Sequence, residues 1–127
     1  MPIPARTADA VQRFSADPRP MFNIQTEGLV QNDKPLTIYA INAHMHTRGT
    51  RAAVALERAG GRRECMLEIP RWNFHWQRVY GFAKPKVLQP GERMSLECHW
   101  QNDGETALNW GEGTGDEMCV AFAYVSE

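Results

Sequence analysis

The chain has 127 residues, of which 43% are hydrophobic and 23% charged, and its formal charge is −1. These values are typical of one ordinary globular domain that is long enough to bury a core. Lysine and arginine are scattered and only Arg62 and Arg63 are adjacent, so the composition argues against a nucleic-acid partner. No apolar run approaches the roughly 18–20 residues that a membrane-spanning helix needs.

The first segment, residues 1–22, is predicted to be an irregular N-terminal arm. Four of the eight prolines lie in it, which leaves room for at most one helical turn, near Thr7–Phe14. The segment lacks the apolar centre of a secretory signal, so the sequence leaves a cytoplasmic location open. We place the folded domain at residues 23–127.

The rest of the chain consists of short alternating segments separated by turn residues, the pattern of an all-β sandwich or barrel. Extended segments are predicted at 22–29, 36–46, 51–58, 63–69, 72–82, 94–100 and 118–125, the fifth with a loop before its strand. Turns are predicted at 31–35, 59–61, 89–92 and 101–104, and a glycine-rich loop at 111–115. No long stretch keeps a helical period. We predict an all-β fold of about eight strands in two antiparallel sheets packed face to face.

Two histidines flank a methionine in His44-Met45-His46. On a strand, alternate side chains share a face, so this spacing brings two imidazoles within reach of one metal ion. The residues expected on this face are Leu36, Ile38, Ala40, Asn42, His44 and His46. If Met118, which follows the glycine-rich loop, were the third ligand, the soft donor set would favour copper over zinc or magnesium. The alternatives are two solvated histidines at a strand end and a methionine in the core.

The chain has three cysteines, which leaves room for one disulfide and a free thiol. Cys98 and Cys119 lie in predicted strands, where they could form a bridge or remain two buried reduced thiols. If they form a bridge, His99 and Met118 would both point away from it, because neighbouring residues face opposite sides of a strand. We expect Cys65 to pack within a strand.

Two further histidines are candidates for the surroundings of a metal. His75 lies among aromatic residues and is predicted either to line a pocket beside the metal or to be a surface histidine. His99 is predicted to support the ligands or to be an additional ligand. A zinc site of His44 and His46 with His99 or Cys98 is the main inorganic alternative. It is less favoured because it gives Met118 no role and Cys98 no partner.

Three segments, HMHTRG at 44–49, LECHWQN at 96–102 and GTGDEMCVAF at 113–122, resemble the C-terminal catalytic domain of the type II copper, ascorbate-dependent monooxygenases. The likeness runs from about residue 36 to residue 124. The resemblance implies a jelly-roll-like β-sandwich with one catalytic copper bound by two histidines and a methionine. By position these ligands would be His44, His46 and Met118, and the disulfide of the family would be Cys98–Cys119.

The same resemblance implies that copper binds dioxygen and hydroxylates an unactivated C–H bond of a small-molecule or peptide substrate. Residues 1–30 contain no histidine, so the family's second, electron-supplying copper domain has no counterpart there. The electrons would come from an external donor, ascorbate or a redox protein. A non-catalytic copper-binding or copper-carrying module with the same three ligands is the alternative function.

The chain departs from the family at two positions beside the substrate. The amidating enzymes carry an arginine two residues before the first metal histidine and a tyrosine four residues after the methionine. Here Asn42 and Phe122 occupy these positions, which argues against a glycine-extended peptide as substrate. A disulfide and copper both suit the periplasm or the cell exterior.

Overall fold

The computed structural model describes residues 2–127, which form two antiparallel β-sheets packed as a sandwich. The elements are β1 (Thr7–Ala16), α1 (Arg19–Gln25), β2 (Leu36–His44), β3 (Gly49–Glu57), β4 (Arg63–Ile69), a 3₁₀ helix (Phe74–Trp76), β5 (Tyr80–Leu88), β6 (Arg93–Asn102) and β7 (Val120–Ser126). One sheet has the order β1-β6-β3-β4 and the other β5-β2-β7. The predicted all-β sandwich is confirmed, with seven strands in the described part of the chain rather than about eight.

The core lies between the two sheets and is built from side chains of both. Its fully buried members include Leu36, Ile38 and Ile41 of β2, Leu56 of β3, Leu88 of β5 and Trp100 of β6. Cys65 is not part of this core. It is a free cysteine on β4 and is exposed, so the prediction that it packs within the sheet is wrong.

A disulfide joins the two sheets on their inner side. It links Cys98 on β6 to Cys119, which precedes β7, with the two Cα atoms 6.0 Å apart. The pairing implied by the resemblance is therefore confirmed, and the alternative of two reduced thiols is wrong. A bond of this kind persists in oxidising compartments.

The N-terminal segment is a strand and not an irregular arm. β1 pairs with β6 along most of its length, from Ala10 opposite Trp100 to Ala16 opposite Met94. Its own sequence has only loose alternation, so the strand owes its conformation to its neighbour in the sheet.

A short helix, α1, stands where the sequence predicted a strand at 22–29. Prolines at positions 18 and 20 fix backbone angles suited to the first turn of a helix. The fully buried Arg19 anchors this turn through a two-pronged contact with Asp17, at 2.9 and 3.0 Å. Similarly, the first part of the aromatic segment 72–82 forms the 3₁₀ helix, and β5 begins only at Tyr80.

β2 contains an irregularity that changes which side chains face the core. Its register shifts between Ile38 and Ala40 against both neighbouring strands, as in a β-bulge. The buried positions are Leu36 and Ile38 before the shift and Ile41 and Ala43 after it. Because one extra residue reverses the facing of all that follow, Asn42 and His44 point away from the core. The prediction that even-numbered residues from Leu36 onward share one face is therefore wrong beyond Ile38.

A charged cluster on the outer face of the four-stranded sheet contains His99. Its Nδ1 lies 2.8 Å from Asp9 Oδ1 and its Nε2 lies 2.7 Å from Glu97 Oε1. Burial alone would lower the pKa of His99, but the hydrogen bonds to Glu97 and Asp9 outweigh burial and raise that pKa above its usual value. The hydrogen bonds from His99 and Arg13 lower the pKa of Glu97 to about 2. Both ring nitrogens face acceptors, so the charged imidazolium bridges β1 and β6.

This cluster predicts a pH dependence of stability. A raised pKa means that the stabilisation by His99 is complete below about pH 6.5, the pKa of an unfolded histidine, and is lost as pH rises through the higher folded-state pKa. We expect the free energy of unfolding of the native chain to exceed that of His99→Gln by about 1–3 kcal/mol at pH 6 and by less at pH 9. Urea unfolding at both pH values measures this difference. The other charged side chains beside this cluster are Arg13, opposite Glu97, and Arg51, opposite His99. A difference that stays constant or grows with pH would contradict the prediction, and His75→Gln, at an exposed histidine, serves as the control.

In residues 2–127, no helix is long and apolar enough to cross a membrane.

Candidate metal centre

The two histidines of the motif lie together at the end of β2. His44 is the last residue of the strand, and His46 is buried two residues beyond it. The two ring centroids are 5.1 Å apart and the ring planes are inclined at 77°. The structure therefore brings the two imidazoles side by side, although His46 itself lies outside the strand.

The Nδ1 atom of each ring is held by an oxygen of another segment. His44 Nδ1 lies 2.5 Å from Gln77 Oε1, and the amide nitrogen of Gln77 donates to the carbonyl oxygen of Phe74 at 2.8 Å. That second bond fixes the orientation of the amide, so Oε1 accepts and His44 Nδ1 donates. His46 Nδ1 lies 2.9 Å from the carbonyl oxygen of Asp116, which can only accept. A neutral ring held in this way has its unprotonated nitrogen at Nε2, the form that binds metals.

A buried carboxylate joins the histidine segment to the segment that carries Met118. Glu117 is only 1% exposed. Its carboxylate accepts hydrogen bonds from the backbone N–H of His46 at 2.9 Å, from that of Arg48 at 2.6 Å and from Trp100 Nε1 at 3.0 Å. These three donors compensate the buried charge. The residue next to Met118 is thus fixed against the residues that follow His44.

Aromatic side chains cover one side of the pair. Trp72 Nε1 donates to the carbonyl oxygen of His46 at 3.2 Å, and the ring of Phe74 is 6.2 Å from that of His46. The absence of a side chain at Gly49 lets Trp72 pack closely here, because a Cβ at that position would lie 2.8 Å from Met45 Cε and from Trp72 Cδ1. The cover helps to keep water from the buried imidazole.

The structure brings some of the other predicted site residues to this region and not others. Asn42 and Phe122 are paired in register on the outer face of their sheet, next to the pair His44 and Val120, and Asn42 Nδ2 donates to the carbonyl oxygen of Arg78 at 2.8 Å. His75 is exposed, with its ring 5.6 Å from that of Phe74. His99 is not part of this region, because both its ring nitrogens bind carboxylates on the outer face of the other sheet.

Sequence reasoning missed the residues that hold the histidine pair and its backbone in place, above all Gln77 and Glu117. Glu117 had one signal, its position directly before Met118. Gln77 had none, because a single polar residue after an aromatic segment is common on protein surfaces.

Comparison with known proteins agrees with this arrangement. Residues 18–125 match the family described as copper type II ascorbate-dependent monooxygenase, C-terminal domain. The chain belongs to this family.

Among relatives of the domain, it is 22% identical over 86 residues to DBH-like monooxygenase protein 1 of Gallus gallus, covering 67% of this chain and 14% of the relative. It is 27% identical over 97 residues to DBH-like monooxygenase protein 2 of Mus musculus, covering 73% and 16%. It is also 27% identical over 88 residues to dopamine beta-hydroxylase of Homo sapiens, covering 68% and 14%. The chain thus spans about a seventh of the length of these relatives.

Two residues of the zinc alternative are engaged elsewhere in this monooxygenase-family domain. Cys98 is in the disulfide and offers no thiolate, and His99 has no free ring nitrogen. Across residues 2–127, no group of three His, Cys, Asp or Glu side chains could hold a metal ion.

Proposed function

We propose that this chain is a mononuclear copper-binding domain that serves dioxygen-dependent hydroxylation of a C–H bond. The ligands are His44 Nε2, His46 Nε2 and the sulfur of Met118, with one copper per chain. The observation that carries the proposal is the pair of adjacent imidazoles whose Nδ1 atoms are both held by oxygen acceptors. The membership of the chain in a copper-dependent family supports it.

The position of Met118 is inferred from its neighbours. Cys119 points inward to the disulfide, and in an extended chain its neighbours point to the other side. Val120 lies directly opposite His44 in the register, so that side is the side of His44. Alternation thus directs Met118 toward the histidine pair.

Copper held by these three side chains would supply dioxygen binding and one-electron chemistry. The chain's own residues hold the ligands in place. Gln77 and the carbonyl group of Asp116 orient the two rings, Glu117 fixes the Met118 segment, and Trp72 with Phe74 shields His46.

Electrons, substrate and location belong to the same proposal. Two electrons come from an external donor, ascorbate or a redox protein, and the substrate lies on the outer sheet face beside Asn42 and Phe122. Neither residue is charged, so neither offers an ion-pair partner to a carboxylate. The disulfide suits the periplasm or the cell exterior, where thiols oxidise.

Copper binding is tested by the loss of a ligand. We expect the native chain to bind one Cu(I), and Met118→Ala to bind it at least about 100-fold more weakly, because removing a soft ligand leaves a two-coordinate site. Competition with a Cu(I)-specific chromophoric chelator measures both affinities. Met21→Ala, at a half-exposed methionine on α1, is the matched control and should bind as the native chain does. If Met118→Ala and the native chain bind Cu(I) with equal affinity, Met118 is not a copper ligand.

Hydroxylation is tested on the copper-loaded protein. With ascorbate and a panel of C–H substrates, we expect oxygen consumption that rises with substrate and matches the hydroxylated product in amount. The corresponding Met118→Ala protein should consume oxygen without coupled product. One tightly bound copper with no product from any substrate would favour the copper-carrier function over the hydroxylase.

A further inference from the structure

The four edge strands of the sandwich differ in how they are protected against pairing with another chain. An edge strand presents unpaired N–H and C=O groups, and proteins usually guard it with charged residues or proline. β1 carries Asp9 and Arg13; β4 carries Arg63, Glu64 and Glu68; β5 carries Lys84, Pro85 and Lys86. β7, with the sequence VAFAYVS, carries neither a charge nor a proline.

β7 is also open to a partner. It is the last strand of the order β5-β2-β7, and within residues 2–127 its backbone pairs with β2 alone. Two aromatic side chains stand on its outer face, Phe122 at 60% exposed and Tyr124 at 72%. Their partners in the register, Asn42 and Ala40, are small, and the ring of Tyr39, 5.8 Å from that of Tyr124, covers Tyr124 only in part. An uncharged strand with a free edge and exposed rings is suited to pairing with another strand.

We propose that β7 pairs antiparallel with β7 of a second copy of this chain. The pairing joins two three-stranded sheets into one sheet of six strands. With Ala123 on the twofold axis, Phe122 of each copy lies opposite Tyr124 of the partner subunit. Aromatic pairs directly across two strands stabilise a sheet. On the inner face, Ala121 lies opposite Val125 of the partner subunit, so a small side chain meets a larger one.

Of the two edges of the three-stranded sheet, charge favours a second copy at β7. Two copies paired through a twofold axis present the same patch to each other. Two β5 strands would bring together four lysines, Lys84 and Lys86 from each copy, whereas two β7 strands meet without any charge. Like charges directly across a sheet are destabilising, so within this sheet self-pairing is less opposed at β7 than at β5.

The size of the contact between the two β7 strands determines how strongly we expect the dimer to associate. Seven residues of strand span about 23 Å and a sheet is about 10 Å deep, so the contact strip is smaller than the roughly 800 Å² per partner of a stable complex. The dimer should therefore form and dissociate with concentration. His44 lies opposite Val120, at one end of β7, so the two histidine pairs lie at opposite ends of the contact and stay accessible.

Sedimentation equilibrium of the whole chain tests the proposal without any metal. We expect the average mass to rise from the 14.4 kDa of one chain toward twice that value as the concentration approaches about 1 mM. Phe122→Lys combined with Tyr124→Lys should stay at the mass of one chain, because each new lysine would face another across the contact. Phe122→Lys combined with Tyr124→Glu should associate again, because opposite charges then face each other.

The matched control adds the same charge elsewhere. Ile24→Lys with Val79→Lys changes two exposed apolar residues outside β7 and should associate as the native chain does. Circular dichroism establishes that each variant is folded. A native chain that keeps the mass of one copy up to about 1 mM would overturn the proposal. So would a folded lysine–glutamate variant that fails to associate, or a control that dissociates as the double-lysine variant does.

Discussion

Replacing Glu117 with alanine should lower the free energy of unfolding by about 3–5 kcal/mol, because it leaves three hydrogen-bond donors, two of them buried, without their acceptor. These donors are the backbone N–H groups of His46 and Arg48 and the indole N–H of Trp100. The donors of His46 and Trp100 are buried, so water replaces the lost carboxylate poorly there. The segment carrying Met118 should loosen at the same time, so copper binding should weaken as well.

Urea unfolding followed by tryptophan fluorescence measures the loss. Glu117→Gln retains the shape and one accepting oxygen, so it should lose about half as much as Glu117→Ala. Glu112→Ala removes an exposed carboxylate from the preceding loop and should change stability by less than about 0.5 kcal/mol. If Glu117→Ala loses less than about 1 kcal/mol, the carboxylate does not hold the two segments together as we infer.

Replacing Gln77 with alanine should weaken copper binding about 10- to 100-fold, the usual effect of removing a residue that orients a metal-binding histidine. Without the amide oxygen, His44 Nδ1 loses its acceptor, so the ring is free to turn and to place its proton on either nitrogen. Both changes reduce the fraction of molecules whose Nε2 is ready to bind. The overall fold should be unaffected, because Gln77 is outside the core.

Chelator competition with Cu(I) again provides the measurement, and two variants separate the causes. Gln77→Glu retains an oxygen acceptor for His44 and should bind within a few-fold of the native chain. Gln31→Ala, at an exposed glutamine in a turn before β2, should have no effect. Native affinity in folded Gln77→Ala would mean that another group orients His44.

The sequence was sufficient for those parts of the fold that rest on local signals. The hairpin of β3 and β4 was predicted because alternating segments flank Gly60 and Gly61, and both glycines have the positive φ angles, 85° and 84°, that the turn needs. β6 followed from its turn and its alternation. The disulfide followed from the family resemblance, since spacing alone left reduced thiols equally acceptable.

The predictions that failed concern features that depend on contacts between residues far apart in the sequence. β1 has little pattern of its own and is extended because β6 lies beside it. No proline or glycine marks the shift in β2 between Ile38 and Ala40, so simple alternation placed Asn42 and His44 on the same face as Leu36 and Ile38. The partners of the histidines also come from far along the chain, Gln77 from before β5 and Asp116 from before β7.

The bridge between Cys98 and Cys119 has a consequence for the stiffness of the site. Both histidines come from the end of β2, in the three-stranded sheet, whereas the stretch with Met118 is tied covalently to β6 of the opposite sheet. The proposed Met118 ligand is therefore restrained from two directions, because Glu117 and the pairing of Val120 with His44 hold the same stretch to the histidine segment. Reduction of the disulfide would release only the restraint toward β6, so the proposed site should keep its shape but present Met118 less rigidly.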